Sequence, residues 1–263
     1  MNEVSKLIPA LCQSIEEAGK IILNFYNNKN YTVLNKKDNT PQTQADWEAH
    51  LYLEKKLKEL STYPLISEES FEHGMPLPSG KYFWLMDPLD GTKHFLNRSG
   101  QFTINLALIE DEFPILGIIY VPVSGELFHA YKDRGAFKKV HGGTFKKIQV
   151  TALDKKAPRF LLSRKKQDLI DKIHSKWPES EITWMGSSLK YCRIAEGSAD
   201  IYIRQYPTHE WDTAAAQCVL EEAGGFLYDL KERTRLHYRK KDLINNSLAA
   251  FSDGNVSINQ FLY

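Results

Sequence analysis

The chain has 263 residues, 42% hydrophobic, 12% aromatic and 25% charged, an ordinary globular composition that argues against long disordered stretches. Its 34 basic and 33 acidic residues leave a net charge of +1, so the basic excess of a protein gripping many nucleic-acid phosphates is absent, and short runs such as Lys36-Lys37, Lys138-Lys139, Lys146-Lys147 and Lys165-Lys166 read as solvated surface. No run approaches the roughly 20 apolar residues of a membrane span, the first twenty residues do not read as a signal peptide, and three cysteines with no CxxC pair exclude a disulfide framework and fit a reduced, cytoplasmic setting.

Apolar residues at helical spacing from Val4 to Phe25 predict an amphipathic helix over 3–26. A second follows over 44–60, with Thr43 as its N-cap. Pro64-Leu65-Ile66 reads as a short strand leading to Ser67-Glu68-Glu69. Tyr82 to Met86 reads as a buried strand that ends at Asp87, because Pro88 keeps it from simply continuing. Residues 102–132 read as antiparallel strands with tight turns, and 135–150 continue that sheet. Beyond residue 151 the pattern changes to alternating strands (160–162, 182–185, 201–203) and helices (166–176, 187–196, 211–223), the last stopping at Gly224-Gly225. The expectation is a layered α/β (α+β) fold: one catalytic unit over 1–263, with an α/antiparallel-β lobe over about 1–150 and an α/β lobe over about 151–263.

Asp87-Pro88-Leu89-Asp90-Gly91-Thr92 is the sharpest motif. Two carboxylates three residues apart at a strand end can converge on one point, and Mg²⁺ takes one or two carboxylates plus substrate phosphate oxygens. The Gly91 and Thr92 amides would face the same phosphate at a helix start. Taken singly, Asp87 and Asp90 read as an Asp-Pro turn and an N-cap, Asp212 as a helix cap and Asp46 as a first-turn acid, while Glu68 and Glu69 fit an exposed loop and a functional site alike. Asp46 with Thr92 also makes a candidate pair for activating a water.

Taken together, SEES (67–70), WLMDPLDGT (84–92) and WDTAAAQCVLEEAGG (211–225) resemble the inositol monophosphatase superfamily of Mg²⁺-dependent, lithium-sensitive phosphatases. Within it, KKDNTPQTQAD (36–46), DGTKHF and GQFTINLALI (90–95, 100–109), PILGIIYVPV (114–123) and GSSLKYCRIAEGSADIY (186–202) are similar to bacterial 3′(2′),5′-bisphosphate nucleotidases of sulfur metabolism. The resemblance implies an αβαβα sugar-phosphatase-like sandwich. It implies hydrolysis of the 3′-phosphate of adenosine 3′,5′-bisphosphate to AMP by a metal-activated water, with inositol monophosphatase or sugar-phosphate phosphatase activity as the alternative. It also implies two or three Mg²⁺ ions on Glu68, Asp87, the Leu89 carbonyl, Asp90 and Asp212, with Thr92 and Asp46 as the catalytic pair. Glu68, Leu89, Asp90, Gly91, Thr92, Ser187, Lys190, Arg204 and Asp212 would contact a small nucleotide bisphosphate. For Lys190 and Arg204, a solvated or structural charge and a contact to the second phosphate stand side by side. His94 stands where relatives often carry Glu. Nucleic acid is not an expected partner. The resemblance is compatible with a monomer or a homodimer, cytoplasmic or peripheral at the inner membrane.

Overall fold

A computed structural model describes residues 2–28, 31–35 and 41–253. In the first half, α1 (Asn2–Asn28) leads through β1 (Val33–Asn35) and β2 (Pro41–Thr43) to α2 (Gln44–Leu60). Then come β3 (Leu65–Ser67), β4 (Tyr82–Asp90), the short α3 (Thr92–Leu96), β5 (Thr103–Glu110), β6 (Phe113–Val121), β7 (Glu126–Tyr131), β8 (Ala136–Val140) and β9 (Lys146–Ile148). Strands β3 to β9 form one seven-stranded sheet in sequence order, antiparallel except for the parallel β3–β4 pair.

The second half runs β10 (Arg159–Leu162), α4 (Gln167–Lys176), β11 (Glu181–Trp184), α5 (Leu189–Ala195), β12 (Ile201–Arg204), β13 (Thr208–His209), a 3-10 turn (Glu210–Asp212) and α6 (Ala214–Glu222). The helices stop there, and β14 (Phe226–Asp229), β15 (Thr234–Arg235), β16 (Ile244–Asn245) and β17 (Leu248–Phe251) complete the described chain. A six-stranded sheet takes the order β11-β10-β12-β17-β14-β15. Its strand–helix half is parallel, β10 to β11 and β12, and its other half is antiparallel. The strand–helix alternation expected for the second half therefore holds only as far as α6.

The apolar residues separate into three layers of core. On one face of the seven-stranded sheet, Leu11, Ile15 and Ile22 of α1 and Leu53 and Leu57 of α2 pack against Trp84, Met86, Ile104 and Leu106. On the other face, Phe83, Leu85, Ala107 and Ile109 share a core with α5, α6 and the inner face of the second sheet. Helix α4 covers the far face of that sheet, its Ile173 sharing a core with Phe160, Ile201 and Phe251 of the strands. The order is helices, sheet, helices, sheet, helix. Period-two alternation of β4 and β5 produces the two-sided burial. Gly117 lets α6 press against β6, since a Cβ there would lie 2.4 Å from the Ala215 carbonyl.

The β4 strand does not end at Asp87. Its ladder to β5 continues, pairing Asp87 with Asn105 and Asp90 with Thr103, so three steps on β4 oppose two on β5. That extra residue is a β-bulge. Pro88 is tolerated because a bulge does not demand its missing N–H. Thr103 and Asn105 point to one face of β5, so their partners Asp87 and Asp90 are brought to one face of β4, where unbroken alternation would have set them on opposite faces.

Candidate active site

Three elements deliver acids to the end of β4. Parallel pairing of β3 and β4 leaves Glu68 beside the strand end, its amide donating to the Met86 carbonyl at 3.1 Å. The bulge presents Asp87. The 3-10 turn packs over β4 and β5 and brings Asp212, whose Oδ2 accepts the His209 amide at 3.0 Å. Carboxylate oxygens of Glu68, Asp87 and Asp212 all lie within 4.8 Å of one another. Asp87 is 1% exposed. Burial first, then the charges of Glu68, Asp90 and Asp212, pushes its carboxyl well above the usual carboxylate range. Asp212 is raised in the same sense, by burial and then by Asp90 and Glu68.

Asp90 lies close enough to repel both, yet stands outside that trio. Its Oδ2 accepts the Ser188 amide at 2.5 Å and sits 3.0 Å from Ser188 Oγ, 3.3 Å from Thr103 Oγ1 and 3.3 Å from Asn105 Nδ2. Leu89 donates its amide to Asp87 Oδ1 at 2.9 Å, and its carbonyl lies 3.4 Å from the Thr92 hydroxyl. Gly91, at φ +94°, is the N-cap of α3. A Cβ there would meet the Gln101 carbonyl at 3.2 Å and Ser187 Cβ at 3.3 Å, so this junction of the two halves requires glycine.

Asp46 uses its two oxygens differently. Oδ2 accepts the Thr43 amide at 2.8 Å and the Thr43 hydroxyl, closing the capping box of α2. Oδ1 accepts the Thr92 hydroxyl at 3.1 Å. The helix-start reading and the paired reading of Asp46 thus describe one carboxylate. Burial raises its carboxyl to about 6, against the hydrogen bonds from Thr43.

Ser187 and Lys190 adjoin this group from the second half. Lys190 is not solvated: it is 4% exposed, its ammonium donates to the Ser187 carbonyl, and it lies 5.0 Å over the Tyr202 ring. Arg204 is half-buried and tied to the Tyr206 and Pro207 carbonyls at 3.2 and 3.4 Å. His94 Nδ1 lies 2.9 Å from Ser99 Oγ, and its ring closes on Gly186. Burial and then the Lys190 charge hold the His94 imidazole below its usual range. Of the matched stretch 36–46, residues 36–40 lie outside the described residues.

The donor set fits a hard divalent cation. It consists of carboxylate oxygens and a nearby carbonyl, the ligands Mg²⁺ takes, and burial first and mutual repulsion second raise the Asp87 and Asp212 carboxyls, both of which positive charge would offset.

Comparison with known proteins gives the family. The sequence profile of the inositol monophosphatase family matches residues 3–258. The chain belongs to that family. It is 41% identical over 223 residues to a 3′(2′),5′-bisphosphate nucleotidase CysQ of Buchnera aphidicola, covering 84% of this chain and 83% of the relative. It is 36% identical over 242 residues to 3′(2′),5′-bisphosphate nucleotidase CysQ of Escherichia coli K12, covering 91% and 97%. The crystal structure of CysQ from Bacteroides thetaiotaomicron, a bacterial member of the inositol monophosphatase family, matches with a TM-score of 0.79 at 33% identity over 90% of this chain and 94% of that one. The extragenic suppressor protein suhB of Bartonella henselae shares the fold, with a TM-score of 0.79 at 22% identity.

Within this family fold, sequence reasoning missed Thr103 and Asn105. Both are polar in an otherwise apolar strand and fully buried, and an amide inside TINLALI was the available signal. It also misread Lys138 and Lys139 as solvated. They are largely buried in ion pairs, Lys138 with Glu126 and Glu196 and Lys139 with Glu16. A cavity of about 590 Å³ lies at the opposite end of β4 and β5, lined by Glu110, Phe113, Cys218 and Arg235. Several of its charges are already paired, Arg235 with Glu221 and Lys132 with Glu110, and none of the candidate site residues lines it.

Among the described residues, no helix is long and apolar enough to cross a membrane.

Proposed function

We propose that this protein is a Mg²⁺-dependent 3′(2′),5′-bisphosphate nucleotidase that hydrolyses the 3′-phosphate of adenosine 3′,5′-bisphosphate to AMP and phosphate, working as one cytoplasmic catalytic unit across both halves. The observation that carries the reading is the convergence of Glu68, Asp87 and Asp212 in a chain 36–41% identical, over most of its length, to enzymes of that name.

In this reading Glu68, Asp87, the Leu89 carbonyl, Asp90 and Asp212 hold the metal ions. Bound Mg²⁺ would neutralise the phosphate and stabilise the attacking and leaving oxygens. The Gly91 and Thr92 amides receive the scissile phosphate at the start of α3. Thr92 Oγ1 takes the proton of the attacking water while its own passes along the 3.1 Å bond to Asp46 Oδ1. The raised Asp46 carboxyl suits that task, since a general base works best with a pKa close to the working pH. The capping bonds from Thr43 keep that oxygen aimed at Thr92. Ser187, Lys190 and Arg204 face the second phosphate. Among the described residues the buried Lys190 ammonium meets the Ser187 carbonyl and the faces of Tyr191 and Tyr202 and no carboxylate, so an anion would complete its surroundings.

The test is phosphate release with Mg²⁺ from adenosine 3′,5′-bisphosphate, AMP and inositol 1-phosphate in parallel, with and without lithium. Fast, lithium-blocked release from the bisphosphate alone is the expected result. Preference for inositol 1-phosphate would replace the substrate and keep the metal site. Silence on all three would end the catalytic reading.

A further inference from the structure

Asp90 does not meet the site with a free carboxylate. Four donor groups crowd its Oδ2: the Ser188 amide, the Ser188 hydroxyl, Thr103 Oγ1 and Asn105 Nδ2. The Asn105 amide nitrogen donates also to Ser188 Oγ at 2.9 Å, and Ser188 Oγ lies 2.8 Å from the Asp212 carbonyl. One amide of the first sheet and one hydroxyl at the start of α5 thereby join Asp90 to the backbone of Asp212. Asn105 and Ser188 are each 1% exposed, so water does not substitute for either.

Asn105 also carries a mark of function. Its Oδ1 is buried with no hydrogen-bond partner. The opposite orientation of the amide is worse, because it would turn Oδ1 toward the Asp90 carboxylate. An unmet buried acceptor destabilises a fold, and an apolar side chain of similar shape would remove that penalty. What the asparagine supplies in return is the pair of hydrogens aimed at Asp90 and Ser188.

We propose that Asn105 and Ser188 are positioning residues for the metal site: they occupy Asp90 Oδ2 and register Asp90 against Asp212, so that Asp90 offers the ion only Oδ1. This rests on the reading of Asp90 as a metal ligand. Hydrogen bonds that orient a ligating carboxylate are each associated with about 10- to 100-fold in metal affinity.

The experiment is calorimetric titration of the metal-free full chain with Mg²⁺, beside thermal unfolding without metal, for the parent, Asn105→Leu, Ser188→Ala and Asp90→Asn. Asn105→Leu is expected to weaken Mg²⁺ binding about tenfold with a metal-free melting temperature equal to or above the parent's. Ser188→Ala, which keeps the backbone amide bond, is expected to lose about threefold and serves as the deciding variant if Asn105→Leu does not fold. Unchanged binding in both variants alongside weakened binding in Asp90→Asn overturns the proposal and leaves Asp90 a ligand. Unchanged binding in Asp90→Asn removes Asp90 from the metal site and the proposal with it.

Discussion

Two clusters of buried charge sit at opposite ends of α5, and they differ in sign balance. At its start, Ser188 grips Asp90 beside Glu68, Asp87 and Asp212. At its end, Arg193 in the last turn and Glu196 at the C-cap meet Glu126 of β7 and Lys138 of β8. Arg193 makes a two-pronged contact to Glu126 at 2.8 and 2.7 Å, and Lys138 reaches both glutamates at 2.6 Å. The second cluster has two acids and two bases. Burial alone would raise the Glu126 carboxyl, yet hydrogen bonds from Arg193, Lys138 and Ser124 bring it down to about 2. The Asp87 carboxyl moves the other way. Buried charge that is balanced within the chain anchors a helix; a buried excess of one sign is a repulsion that a ligand of the opposite sign would relieve.

The widest separation between the two clusters should come from Asp87→Asn. Turnover is expected to fall on the order of 10³-fold, several kcal/mol of lost charge stabilisation, while the metal-free melting temperature rises because a repelling charge is gone. Mg²⁺ at a hundredfold excess over its Kd should stabilise the parent by about 2.7 kcal/mol and leave the variant unmoved. Loss of metal-free stability in Asp87→Asn would erase the contrast.

Glu126→Ala should behave in the opposite manner, destabilising the protein by about 3 kcal/mol in urea unfolding because Arg193 and Lys138 lose a shared partner. A change below about 1 kcal/mol would show that the balanced cluster does not anchor α5.

His129 offers a smaller test in the same sheet. Burial and then the Lys139 charge lower its imidazole to about 4, and its Nδ1 has no partner beside Phe137 and Phe145. The folded state therefore resists a proton that the unfolded chain accepts below about 6.5. Stability should be full above that pH and decline by about 2 kcal/mol as pH falls toward 4. His129→Phe should remove that part of the pH dependence in unfolding measured from pH 7 to 4. The smallest effect belongs to exposed pairs: Lys56→Ala, breaking a 3.0 Å contact to Glu59, should change stability by less than about 0.5 kcal/mol.

The helices α1 and α2 and the strands β4 to β7 were legible because each buries a continuous face, and burial repeats at the period of the backbone. The acids were legible as a set through the hexapeptide 87–92. Their separate contacts were not. Glu68, Asp90 and Asp46 each have an ordinary local reading, and only Asp46 keeps it in full, as the first-turn acid that closes the capping box of α2 on Thr43. The region after Gly225 carried no helical period, and apart from the β14–β15 hairpin its short strands find their partners farther along the chain, β17 between β12 and β14 and β16 beside β13. Lys138 looked solvated because Glu126 and Glu196 reach it from other elements.

By itself, then, the sequence determined the family, the layered α/β architecture and the identity of the clustered acids, because periodic burial and a contiguous motif are local properties. Tertiary structure alone decided that β4 runs through Pro88 as a bulge, that Asp87 and Asp90 share a face, and that Asn105 and Ser188 hold Asp90 against Asp212. Those facts depend on strand register and on a helix arriving from residues 83 positions away, and neither is written in any one stretch of chain.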